Sequence, residues 1–229
     1  MRHAAAWRLC VLAGLATLLA STAFGWIGLK ACGPTGGAGP IIAFELAHTP
    51  DAIAALFGSE PCTSRFVAAQ RAGLWLDMLG FIPAYTAFLA LAGWALRGNG
   101  RPLALAAVTA ALVAGLCDQI EGFTMFAIMD PLPGAAWLFT PLFWAVRIKF
   151  ALLSLTEGLL GLLLFRGRLL SKMACAGMIA GAYLGLLCLL VSPHEPGMMR
   201  GHSYAWIALL IAAAIAAIRP ALVSRANPA

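Results

Sequence analysis

Six apolar runs constrain this chain more than anything else in it. They cover residues 8–29, 66–96, 103–129, 141–165, 173–191 and 204–218. A hydrocarbon core of ~30 Å is crossed by about 20 helical residues, and most of the runs reach or approach that length. Composition agrees: 62% of the 229 residues are apolar and 10% charged, against roughly 45–50% and about 25% in a soluble domain. The expected fold is all-α, a polytopic membrane bundle of six transmembrane helices with a short extracytoplasmic interfacial helical segment. One integral membrane domain over 1–229 is expected. Within it, 30–64 forms an extracytoplasmic lid, 66–165 the polar core helices and 173–218 scaffold helices.

The charges set the threading. Arg2 and Arg8 precede the first span, and Arg97 and Arg101 separate the second and third. Arg166, Arg168 and Lys172 separate the fourth and fifth, and Arg219 and Arg225 follow the sixth. These four places hold no Asp or Glu, whereas the opposite loops carry Asp51, Glu60, Asp130 and Glu195. By the positive-inside rule both termini are expected to be cytoplasmic. Topology therefore explains the net charge of +6. No basic run interleaved with aromatics points to nucleic acid; the expected partner is the lipid bilayer. Trp26, Trp137, Trp144, Tyr204 and Trp206 fall near the outer boundary, as an aromatic belt would. The first run has a rival reading. Arg2, Arg8, an apolar stretch and Ser21-Thr22-Ala23 resemble a cleaved signal, which would leave five spans. Its continuation to Leu29 favours a retained helix.

Between the first two spans, residues 40–48 are helical in pattern but too short to cross. Thr49-Pro50-Asp51 caps a second short helix running to Phe57. Cys32 and Cys62 both lie in this outer segment, where an oxidising compartment favours a disulfide. The fifth span carries Gly177, Gly181 and Gly185, a ridge that lets another helix approach closely. The uncharged sixth span reads as scaffold, and the histidines of the loop before it, His202 included, read as solvated.

Ionisable groups at membrane depth are costly and need partners. Asp118 and Glu121 in the third span are three apart, so on a helix they share one face, about 60° from each other. Helical rise places Arg71 and Asp77 of the second span, and Arg147 and Lys149 of the fourth, at a similar outer level. Three bases and three acids are thus expected to converge, with Glu157 nearer the inner side. Glu45 and His48 would share a face of the lid helix. A Glu-x-x-His pair joined by Asp77, Asp118 and Glu121 is one way to bind a metal, although a pattern this short arises easily by chance.

Phe44-Glu45-Leu46-Ala47, then Asp77 with Phe81-Ile82-Pro83-Ala84-Tyr85, then Asp118-x-x-Glu121 and Lys149, resembles small bacterial multi-pass membrane proteins of unassigned function. The likeness covers roughly 40–165 and implies no reaction or cofactor. It adds Glu45 and Tyr85 to the residues of interest. Where that pattern has Asn after the Glu, this chain has Gly122.

Three functions fit these residues. An ion-pair network of Asp77, Asp118, Glu121 and the bases would pin helices together. A pocket for a small solute or lipid head group, with transport or proton coupling, would use Glu45, Arg71, Asp77, Asp118, Glu121, Arg147 and Lys149, the bases holding an anionic group. An enzyme at the outer leaflet would use Asp118 or Glu121 as base, Lys149 or Arg147 to stabilise negative charge, and Tyr85 as proton donor. The chain has no HExxH, no nucleophile elbow and no phosphate loop. The sequence specifies neither cofactor nor substrate.

Overall fold

The structure, a computed structural model, describes residues 2–223; Arg225, part of the charge pattern above, lies outside the described residues. Among the described residues the chain is an all-α, multi-pass membrane protein, with six helices long and apolar enough to span a bilayer. Helix α1 covers Arg2–Ala23, and the short α2 and α3 cover Pro40–Glu45 and Pro50–Phe57. The second span is α4 (Cys62–Leu76) and α5 (Ile82–Ala95) joined by a π-helical turn at Asp77–Phe81. Helices α6 (Arg101–Ile128), α7 (Phe139–Phe165), α8 (Leu169–Val191) and α9 (Gly197–Ile218) complete the spans.

The spans stand in a ring in chain order. Each of α5 to α9 packs on the next, and α1 closes the ring by packing on both α5 and α9. Trp7 and Cys10 of α1 are fully buried in that closure. Outward faces carry Leu, Ile and Phe side chains exposed to lipid. The α8–α9 contact rests on the glycine ridge. A Cβ at Gly181 would collide with the Gly201 carbonyl oxygen, and one at Gly177 would lie 2.7 Å from Ala208. At Gly185 it would lie 2.9 Å from the His202 ring.

The 30–64 segment folds over one end of the ring. Thr49 caps α3 by accepting a hydrogen bond from the Ala52 amide at 3.1 Å, as its sequence announces. Phe44, Leu46, Ile53 and Phe57 are buried, so the apolar side of the lid faces the bundle rather than lipid. Phe57 packs edge-on against Phe44 at 5.2 Å and at a tilt against Phe66 of α4 at 4.7 Å. A Cys32–Cys62 disulfide ties the start of the lid to the start of α4. The Ala38 amide donates to the His194 carbonyl at 2.9 Å, joining the lid to the α8–α9 loop.

The π-turn is the one break in the second span, and it has a local cause. Pro83 has no amide hydrogen, so the ladder cannot run through it unchanged. The Ile82 amide reaches back five residues to the Asp77 carbonyl. The Met78 carbonyl is thereby released, and the Gln119 side chain of α6 donates to it at 2.8 Å. Gly122, one turn further along α6, leaves room for the Met78 side chain; a Cβ there would lie 2.8 Å from its sulfur.

Candidate functional site

Lys149 stands at the centre of the buried polar group. It is 3% exposed, on the inward face of α7. Its Nζ lies 3.0 Å from Glu45 of the lid, 3.1 Å from Asp118 and 2.7 Å from the nearer oxygen of Glu121. An ammonium has three N–H donors, so each carboxylate takes one and none is left over. Asp118 and Glu121 both reach Lys149 because their three-residue spacing puts them on one face. The Tyr85 hydroxyl donates to the other Asp118 oxygen at 2.7 Å. Glu45 and Tyr85, which the resemblance added, therefore sit in this cluster.

The other two bases stand apart. Arg147 precedes Lys149 by two residues, a turn of about 200° on a helix, so it points the other way. Its guanidinium lies 3.7 Å over the Phe143 ring. Arg71 has a side chain 41% exposed and reaches the Met129 carbonyl at 3.4 Å and Asp130 at 3.9 Å. The expected balance of three bases and three acids is replaced by one base among three acids.

His48 also lies outside the cluster. Helix α2 ends at Glu45, so the two residues do not share a helical face. The His48 ring packs on Phe143 at 5.4 Å. Among the described residues no group of three His, Cys, Asp or Glu side chains is arranged to hold a metal. Of the alternative set Glu45, His48, Asp77, Asp118 and Glu121, the three that converge, Glu45, Asp118 and Glu121, do so on the ammonium of Lys149. Burial pushes the Glu45 carboxyl above its usual range, against the opposing pull of Lys149. Burial, followed by Arg147 and His194, holds His48 below the ordinary histidine range.

Asp77 is different again. It opens the π-turn and lines a cavity, and no described residue gives it a hydrogen bond or an ion pair within 4 Å. The cavity has a volume of about 510 Å³ and lies inside the ring, beneath α2. Its polar end is Glu45, Asp77, Asp118, Lys149 and Tyr85; its walls include Phe24, Phe81, Phe88, Leu153, Trp206 and Leu210. The exposed lining residues are Leu18 and Ser21 of α1 and Ser203 and Ile207 of α9, so the cavity opens between those two helices.

A second polar group borders the cavity, and the sequence did not announce it. Helix α9 begins at Gly197, which puts His202 inside the helix rather than in a loop. Its Nδ1 lies 2.8 Å from the fully buried Glu157, and the Trp206 indole N–H donates to the same oxygen at 2.7 Å. Trp206 thus turns inward, away from the exposed belt of Trp26, Trp137, Trp144 and Tyr204, and stacks on Tyr85 at 5.3 Å. The only signal in the sequence was spacing: His202 and Trp206 are four apart, on one helix face.

Compared with known proteins, the chain matches no family model, no curated protein and no solved structure.

Proposed function

We propose that this protein binds a small amphiphile, a solute or lipid, which enters from the bilayer between α1 and α9. The observation that carries this reading is a single cavity with hydrocarbon walls and a charged end. Its ~510 Å³ falls within the roughly 300–1,000 Å³ of small-ligand pockets. The Lys149 cluster has a distinct part in the same reading. With every ammonium donor already paired, it pins lid, α6 and α7 and shapes the end of the pocket. That saturation favours a structural role for Glu121 and Lys149 over acid–base chemistry.

The reading treats the whole chain as one unit with α1 retained, supported by the way α1 closes the ring and lines the cavity. It places the lid on the extracytoplasmic side of a bacterial inner membrane with both termini cytoplasmic. The sorted basic residues and the lid disulfide support that orientation.

An alkyl diazirine with an uncharged head, photolysed in nanodiscs carrying the protein, tests the binding. Saturable labelling is expected at Leu18, Leu153, Trp206 and Leu210, with competition by unlabelled dodecanol. Non-saturable labelling spread over the lipid-facing leucines would refute it.

A further inference from the structure

The charge of the ligand can be read from the same cavity, an inference that rests on the binding function just proposed. The residues lining the polar end are three carboxylic acids, Glu45, Asp77 and Asp118, and one base, Lys149. The base has no donor to give an incoming anion, because its three N–H groups are taken by Glu45, Asp118 and Glu121. Arg71 and Arg147, the other cations of this level, do not line the cavity. His202 does line it, but its Nδ1 is paired with Glu157 and its Nε2, which has no hydrogen-bond partner among the described residues, lies against α8, 3.0 Å from where a Cβ on Gly185 would stand. What remains on offer among the charged groups is Asp77, which lines the cavity with no hydrogen bond or ion pair within 4 Å from a described residue.

Aromatic side chains line the same cavity as that acid. Phe81 lies 5.5 Å from Tyr85 and 6.0 Å from Trp206, ring centre to ring centre, and Phe24 packs edge-on against Phe81 at 5.9 Å. All four rings line the cavity. A ring face carries negative electrostatic potential and attracts ammonium groups, most strongly where water is excluded. An acid and several aromatic rings lining one cavity suit an alkylated amine, and the apolar walls suit a hydrocarbon tail.

We propose that the cavity takes a single-chain cationic amphiphile, its ammonium held by Asp77 among Phe24, Phe81, Tyr85 and Trp206 and its tail lying along α1 and α9. Asp77 is the specificity-determining residue. Glu45, Asp118 and Glu121 hold Lys149 and set the floor of the site.

Binding of three probes with one tail and different heads tests this, measured by calorimetry on the protein in nanodiscs. The probes are dodecyltrimethylammonium, dodecanol and dodecylphosphocholine. The cation is expected to bind at least tenfold more tightly than the alcohol. Asp77→Asn is expected to weaken the cation tenfold or more and leave the alcohol within twofold. Phe24→Leu, at a ring that lines the cavity and takes part in no ion pair, is expected to weaken the cation severalfold. Dodecylphosphocholine binding as tightly as the cation would support the proposal and assign the ammonium to a lipid head group; weaker binding would assign it to a free amine. Equal affinity for cation and alcohol, or an unchanged affinity for the cation in both variants, would overturn the charge assignment while leaving the pocket in place. Failure of all three probes would overturn the pocket as well.

Discussion

Lys149 joins side chains from three elements, and that decides what its removal does. Replacing one partner of a buried ion pair leaves the others charged in a medium that solvates them poorly, at a cost of about 3–5 kcal/mol. Lys149→Met should lose stability of that order in a denaturant melt, and adding Asp118→Asn and Glu121→Gln should recover part of it. Additive losses across the three substitutions would show that the groups are not coupled. The surrounding residues were only partly legible. Asp118, Glu121 and Lys149 stood out because charges are rare inside apolar runs. Axial rise put Arg147 and Arg71 at the right depth, but depth says nothing about azimuth. Arg147 instead sits beside His48 and helps hold it below the ordinary range after burial does. Arg147→Gln should therefore raise the His48 titration midpoint, followed by histidine NMR; no movement would mean that the two charges do not interact.

Among the elements, the lid and the α8–α9 pair were readable and the π-turn was not. Thr49-Pro50-Asp51 names a cap and a first turn, and glycines every four residues name a close contact. The 66–96 run looks continuous because a π-turn changes hydrogen-bond bookkeeping, not hydrophobicity. Its only trace was Pro83, with Gln119 waiting on a neighbouring helix to satisfy the Met78 carbonyl. That small insertion is what places Asp77 at the cavity. Helix α9 was misread for a related reason: its first turns, Gly197 to His202, are polar enough to look like loop. The glycine ridge gives a test at this scale. Gly181→Leu should cost about 1–3 kcal/mol or more by overpacking, since the Gly201 backbone cannot yield. Gly158, with nothing within 4 Å of a Cβ, is the control. Gly158→Ala should be neutral or stabilising by up to about 1 kcal/mol. Equal effects on the thermal melt would contradict the close packing of α8 on α9.

At the scale of the molecule, the ring of six spans is what leaves room in the middle. Adjacent helices pack pairwise, and contacts across the ring are sparse by comparison. The sequence announces six spans, but it does not announce a ring, because apolar runs carry no information about which helix closes on which. The interior is therefore filled by side chains from several helices, and where α1 and α9 meet lid and π-turn they leave a volume unfilled. The proposed reading is that an amphiphile from the bilayer occupies that volume.

Native mass spectrometry of the protein released from membrane-derived nanodiscs reads that occupancy directly. The account predicts a discrete bound mass on the wild-type chain, lost when Thr17→Phe fills the cavity from α1 without touching any ion pair. A bare chain mass for the wild type, or the same adducts on both proteins, would contradict it.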